Sequence, residues 1–139
     1  MQGMESFGVE GEYKPIEFTY PGSDPIASRS LYKIQNTVCL IFVADRLDPT
    51  TGCRDTLEVR SGEAALGIYS CEDIQLPALA VAIAVGDAIY WSGVAGTGVS
   101  NVWQTGWLRI GICKQAADAA DDFVLCDLHG DHPIAEEAP

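Results

Sequence analysis

The residues with the clearest capacity for chemistry lie close together toward the C-terminal end of the chain. Carboxylate and imidazole groups that are able to bind a divalent metal occur within six positions, at Asp127, His129, Asp131 and His132. Their spacing lacks the i, i+4 pattern that places two histidines on one face of a helix. Polar residues in such a position are normally solvated. The pattern therefore favours a solvated tail, with a metal-dependent hydrolase as the enzymatic alternative.

Other catalytic arrangements find little support. No serine lies in a Gly-x-Ser-x-Gly motif, and both histidines lie near the C-terminus. Gly93, Gly96 and Gly98 lack the spacing of a phosphate-binding loop and no lysine follows them, so they indicate a hairpin loop. Adjacent acids, such as Asp121 with Asp122 or Glu72 with Asp73, point to opposite faces of an extended chain and favour a solvated turn. We predict no catalytic residues, no cofactor and no metal site.

Large aromatic side chains near a loop are better suited to binding than to catalysis. Trp91, Trp103 and Trp107 flank the longest loop of the chain. Rigid aromatics in such positions are frequent anchors of interfaces, and they are equally common in cores. Both interpretations stay open from the sequence, and tryptophans around a glycine-rich loop also suit a ligand-binding module.

The N-terminal segment offers a second set of binding residues. Residues 1–14 alternate small, acidic and isolated apolar residues, a pattern too sparse for independent folding. We predict an extended arm in which Phe7, Val9 and Tyr13 are the anchors. Its removal is expected to leave the remaining domain folded.

Composition sets the class of protein and of partner. The chain has 139 residues, of which 47% are hydrophobic and 20% charged, which fits one globular domain with its own core. Fourteen glycines and seven prolines indicate many turns. The formal net charge of −12 disfavours nucleic acid and anionic membranes as partners, because phosphate contacts need clustered Lys and Arg. No basic residue follows Lys114, so this part suits a basic partner.

Cysteine usage indicates buried thiols. The five cysteines include no Cys-x-x-Cys pair, and their odd number leaves at least one unpaired. Cys39, Cys113 and Cys126 lie in apolar runs, where free cysteine behaves as a small hydrophobe. No run approaches the ~18 apolar residues of a membrane helix, and no secretion signal is recognised. A reducing cytosol is the default expectation.

The elements that position these residues are predicted to be strands. Gly86 and Asp87 suit a tight turn that leads into the aromatic strand AIYW. In WLRIGIC, period-two alternation places Leu108, Ile110 and Ile112 on one face, which we predict to be buried. TVCLIFVAD is a continuous apolar run and indicates a central strand. The fold class is therefore all-β, a small β-sandwich or barrel, with an arm over residues 1–14, one domain over residues 15–128 and a short acidic tail over residues 129–139.

Two parts of the chain follow the same pattern. SLYKI, TVCLIFVADRL and DTLEV correspond in order to AIYW, WLRIGICKQAA and DDFVLCDL. A duplicated three-strand unit that cannot bury its own face is expected to close on its copy.

Several of these segments resemble a known family. VGDAIYWSG, the following Val99, GWLRIGIC and DDFVLCDLHG are similar to the pattern of tailed-phage capsid cement proteins, which decorate the head. The resemblance is best over residues 83–130 and extends loosely back to SLYKI. It implies a small, commonly oligomeric β-domain without catalytic residues. This sequence differs in its longer loop after Trp91, its longer N-terminal segment and its number of cysteines.

The resemblance implies a mechanical function. The expected partner is the major capsid protein, to which the arm adds a strand, and the expected location is the outside of the virion after assembly in the host cytoplasm. A homo-oligomer, which the habit of the family suggests is a trimer, would bridge neighbouring capsid subunits. A small-molecule or carbohydrate-binding β-barrel module on the virion is the alternative.

Overall fold

The fold is built entirely from strands and turns. A computed structural model describes residues 9–43, 58–131 and 134–135, and no helix occurs within these ranges. Within them, no helix is long and apolar enough to cross a membrane. The prediction of an all-β fold is confirmed. The strands are β1 (Val9–Thr19), β2 (Ile26–Ala27), β3 (Ser30–Ile34), β4 (Thr37–Val43), β5 (Glu58–Val59), β6 (Ala64–Pro77), β7 (Ala88–Trp91), β8 (Val99–Ser100), β9 (Leu108–Cys113), β10 (Phe123–His129) and β11 (Ile134–Ala135).

The long strand β6 organises the main sheet. β1 pairs along one side of it, whereas β4 and β10 lie end to end on the other, each antiparallel to β6. At the junction, the amide of Val38 donates to the carbonyl of Gly130 at 2.8 Å, and the amide of Gly130 donates to the carbonyl of Tyr69 at 2.7 Å. A Cβ on Gly130 would collide with the carbonyl of Val38, so the close approach requires glycine.

Beyond β10 the sheet curls back toward its starting point. The strands continue in the order β10, β9, β7 and β8, and Val99 of β8 bridges Ala78, directly after β6. The amide of Leu79 donates to the carbonyl of Val99 at 2.9 Å. Of the two expected architectures, this curled half-barrel corresponds to the barrel. A separate two-stranded sheet pairs β2 with β5.

Hydrophobic residues on β4 contribute to cores on both faces of the sheet. Val38, Leu40 and Phe42 belong to the main core inside the curl, while Ile41 and Val43 belong to a smaller core beneath the second sheet. A strand buried on both sides needs a continuous apolar sequence rather than an alternating one. The prediction of a central strand in TVCLIFV is confirmed.

The proposed duplication holds for two strands of each unit and fails for the third. β3 and β4 form a hairpin, as do β7 and β9 apart from the short β8 between them. β10 then pairs with β9, but β5, its proposed counterpart in DTLEV, pairs with β2 instead. The strand beside β4 is β6.

The prediction that Ile112 faces the core is wrong, because the pairing of β9 with β7 shifts by one residue. Ile112 is 47% exposed, while Cys113 is only 1% exposed, the reverse of the expected alternation. The pairing between β7 and β9 shifts between Ile89 and Tyr90, which inserts an extra residue into β9 near Gly111. Leu108 and Ile110 still face the core. After the shift, Ile112 and Cys113 point to the faces opposite to those predicted.

The predicted limits of the domain also differ from the observed strands. β1 runs through the expected boundary between residues 14 and 15, so the described part of the arm, residues 9–14, pairs with β6. At the other end, His129 is still part of β10 and β11 pairs with β9, so the described part of the predicted tail also contributes to the sheet.

Candidate functional site

Two adjoining depressions on the outer face of the curled sheet share one side chain, that of His129. The first has a volume of about 610 Å³, and the second, of about 360 Å³, continues toward Ala88, Arg109 and Ile112. From here on, the outer face means the surface formed by these two depressions together. The charged and polar residues of the first depression, besides His129, are Glu12, Lys14, Ser70, Glu72, Asp73 and Asp127.

Irregular pairing on both sides of β6 explains why these residues meet. On the β10 side, Cys126 pairs with Ile74 and Leu128 pairs with Cys71, so two residues of β6 lie opposite Asp127 alone. The pairing with β1 shifts at the same level, between Glu10 and Tyr13. A bulge of this kind redirects side chains locally. Its result here is that Cys71 and Ile74 both reach the core and the intervening residues face outward.

A carboxylate and an imidazole lie in contact at the centre of the outer face. The Nε2 atom of His129 lies 3.1 Å from Oδ1 of Asp127, and their side chains are 58% and 25% exposed. Oδ1 is buried and has no hydrogen-bond partner among the described residues. The two side chains are therefore close enough for an ion pair, but they are not oriented for a hydrogen bond. His129 also pairs across the strands with Ser70. No hydrogen bond joins Ser70 to His129 in the described structure.

Carboxylates dominate the charge of the first depression. The two residues of the β6 bulge, Glu72 and Asp73, lie opposite Asp127. Lys114 approaches Asp73 with its Nζ atom 3.8 Å from Oδ1, in a largely exposed pair that adds little stability. Four carboxylates and one lysine among the lining residues leave this part of the surface negative, which suits a basic partner.

The metal-binding alternative gains no support. Within the described ranges, no group of three or more His, Cys, Asp or Glu side chains is placed to hold a metal ion. Asp127 and His129 approach each other, but His132 lies outside the described residues.

The three tryptophans do not form one surface. Trp91 is fully buried in the main core, and its Nε1 donates to the carbonyl of Thr97 at 3.1 Å. Trp103 and Trp107 are half-buried, and Nε1 of Trp103 is buried without a hydrogen-bond partner in the part of the chain that is described. For Trp91, the core interpretation is the one the structure supports.

The predicted arm residues are placed differently from one another. Tyr13 is half-buried, packs against the main core and lines the first depression. Val9 pairs with Ile74 through its backbone. Phe7 lies outside the described residues.

Sequence reasoning missed most of the outer face. Glu12, Glu72, Asp73 and Ile112 come from three strands that are distant along the chain. Their meeting depends on bulges. The expectation that Glu72 and Asp73 point to opposite faces is wrong, because the bulge in β6 brings both to the first depression.

The four described cysteines are buried, and burial was predicted for three of them. Cys39, Cys71, Cys113 and Cys126 form no disulfide in the structure, and Cys53 lies outside the described residues. Burial raises the pKa of the Cys39 thiol to about 12, which makes it unreactive at neutral pH.

Comparison with family models, with curated proteins and with solved structures finds no match in any of the three.

Proposed function

We propose that this protein is a phage capsid decoration protein, which binds the outside of an assembled head and stabilises it by bridging capsid subunits. The sequence resemblance supports this proposal, and the outer face is the structural observation that carries it. There, the exposed Ile112 lies beside a depression lined by carboxylates. An apolar centre with a charged rim is typical of surfaces that bind other proteins.

The charge of the chain favours a basic docking site. With a net charge of −12, the protein is repelled by packaged DNA and attracted to clustered Lys or Arg side chains on a capsid surface. The carboxylates of Glu72, Asp73 and Asp127 lie close enough together to receive such side chains. Basic residues of the major capsid protein are therefore the proposed partners of the outer face.

Side-chain docking on the outer face fits the structure better than strand addition along β1. The described part of the arm is already paired with β6, and β1 contains Pro15, which has no amide hydrogen to donate to another strand. Charged, exposed Glu12, Lys14 and Glu17 also lie on this strand. Charges, proline and register shifts are features that disfavour pairing with another strand.

Avidity can compensate for the low affinity of a single small binding surface. A standard interface buries on the order of 800 Å² per partner. Copies joined as a homo-oligomer, for which a trimer is our proposal, would bind neighbouring subunits at high effective concentration. Bridging of this kind stabilises the shell without any chemical reaction.

Binding to undecorated heads tests the proposal directly. We expect Ile112→Ser and Glu72→Lys each to weaken co-sedimentation with heads at least tenfold, while the folded state, followed by circular dichroism, is retained. The matched controls are Val102→Ser, at an apolar side chain that is 57% exposed outside the outer face, and Glu58→Lys, at an exposed acid on the second sheet. Equal binding by all four variants would show that the outer face is not the docking surface. Failure of the unmodified protein to bind heads would refute the proposed decoration function.

A further inference from the structure

Two free cysteines lie directly opposite each other in the middle of the main sheet. Cys113 of β9 and Cys126 of β10 are paired residues of an antiparallel ladder. Both side chains belong to the main core, so they project from the same face of the sheet. Neither is in a disulfide.

Backbone hydrogen bonds define which kind of pair this is. The amide of Cys113 donates to the carbonyl of Asp87, and its carbonyl accepts from the amide of Gly86, both at 2.9 Å. Both groups therefore point away from β10, so Cys113 and Cys126 are a non-hydrogen-bonded pair. Such pairs bring their Cα atoms to about 4.5 Å, inside the range of roughly 4.4 to 6.8 Å that disulfides span.

We propose that Cys113 and Cys126 are a disulfide-forming pair, which joins β9 to β10 when the chain folds in the presence of a low-molecular-weight disulfide such as glutathione disulfide. In a reducing environment the two residues remain thiols and pack as small core side chains. This inference is independent of the capsid proposal.

The reaction is an ordinary thiol–disulfide exchange. The thiolate of Cys113 attacks one sulfur of glutathione disulfide, forms a mixed disulfide and releases one glutathione thiolate. The thiolate of Cys126 then attacks the Cys113 sulfur and releases the second glutathione. Two protein thiols are oxidised, one glutathione disulfide is reduced to two thiols, and the two protons pass to the released glutathiones.

Burial determines when the exchange takes place. Both side chains are almost completely inaccessible, at 1% exposure for Cys113 and 0% for Cys126. Burial also raises the pKa of each thiol, more strongly for Cys126, which leaves little of the reactive thiolate in the folded state. Exchange is therefore expected during refolding, when the strands are open, and to be slow in the native protein.

Refolding of the full chain from denaturant in a buffer of oxidised and reduced glutathione tests the inference. Peptide mapping after alkylation is expected to show the link between Cys113 and Cys126 as the main product. The linked protein should melt about 10 °C above the reduced protein, and a thiol reductant should reverse the shift. The control is a Cys113→Ala, Cys126→Ala double variant, whose melting temperature should not respond to the oxidant.

Several results would overturn the inference. These are a different dominant pairing, alkylation of both cysteines after oxidative refolding, or a linked form that melts below the reduced one. Peptide mapping of the unmodified chain decides the question even where the double variant fails to fold.

Discussion

The side-chain amide of Asn101 donates a hydrogen bond to Oδ2 of Asp87 at 2.9 Å and another to the carbonyl of Ala82 at 3.1 Å. The same carboxylate oxygen accepts the backbone amide of Ala84 at 2.9 Å. Asp87 thus closes the turn before β7 and attaches it to the segment after β8. Because the bonds from Asn101 and Ala84 stabilise the charged form, the pKa of Asp87 lies below its ordinary value.

This shift predicts a pH-dependent contribution to stability. A lowered pKa means that the stabilisation is present above pH 3.8, the ordinary value, and is lost as the pH falls through the lower folded-state value. We expect Asn101→Ala to lower the melting temperature by a few degrees at pH 7, and the difference from the unmodified protein to shrink near pH 3. Glu58→Gln, at an exposed carboxylate, serves as the control. A difference that stays constant between these pH values would contradict the assignment.

Gly111, like Gly130, lies so close to a neighbouring strand that a single added methyl group should be damaging. A Cβ at this residue would collide with the backbone carbonyl of Asp127 on β10, and backbone cannot move aside as a side chain can. We expect Gly111→Ala to destabilise the protein by about 1–3 kcal/mol, measured by urea unfolding. Ile112→Val, a change at the next residue, whose side chain is exposed, should have little effect. Equal stability of the two variants would show that the contact between β9 and β10 is looser than described.

Cys39 predicts a loss of stability in alkaline solution. Its thiol has a pKa of about 12 in the folded protein and 9.0 ordinarily, so unfolding releases a proton above pH 9. The contribution of this thiol to stability is therefore constant below pH 9 and declines as the pH rises toward 12, by about 1.4 kcal/mol per pH unit. We expect Cys39→Ala to show a shallower decline of the unfolding free energy between pH 9 and pH 11. An identical slope in both proteins would refute this.

Truncation separates the described part of the arm from what precedes it. The expectation that removal of residues 1–14 leaves the domain folded conflicts with the pairing of residues 9–14 with β6 and with the packing of Tyr13. We expect deletion of residues 2–14 to lower the melting temperature and promote aggregation, because it uncovers part of the β6 edge. Deletion of residues 2–8 preserves β1 and should melt like the full chain. Only this shorter deletion is a fair test of whether the segment contributes to head binding.

The parts of the fold that follow from local pattern were predictable. The continuous apolar run of β4 and the alternation in β10 identify strands, and Gly86, with a φ of +88°, forms the turn expected from its type. Register shifts were not predictable, because a bulge arises where the partner strand fits, and the partner is distant in sequence. That is why the face of Ile112 was assigned wrongly.

Only the β10 residues of the candidate site could be predicted from the sequence. The sequence marks Asp127 and His129 as candidates by their side-chain types, but it favours a solvated tail, whereas both lie on β10 between β6 and β9. The acids that complete the outer face lie on β1 and β6, and no short-range signal connects them. Trp91, in contrast, is fully buried in the main core and is not part of the site.

The position of β10 has a consequence for biosynthesis. This strand is made after all but one of the other strands, yet it lies between β6 and β9 and meets the start of β4 at Gly130. Until β10 has been made and is free to pair, the sheet therefore stays incomplete, with one side of β9 and the part of β6 that pairs with β10 uncovered. We expect completion of the sheet to wait for this strand and to be slow, since pairing of segments that are distant in sequence slows folding.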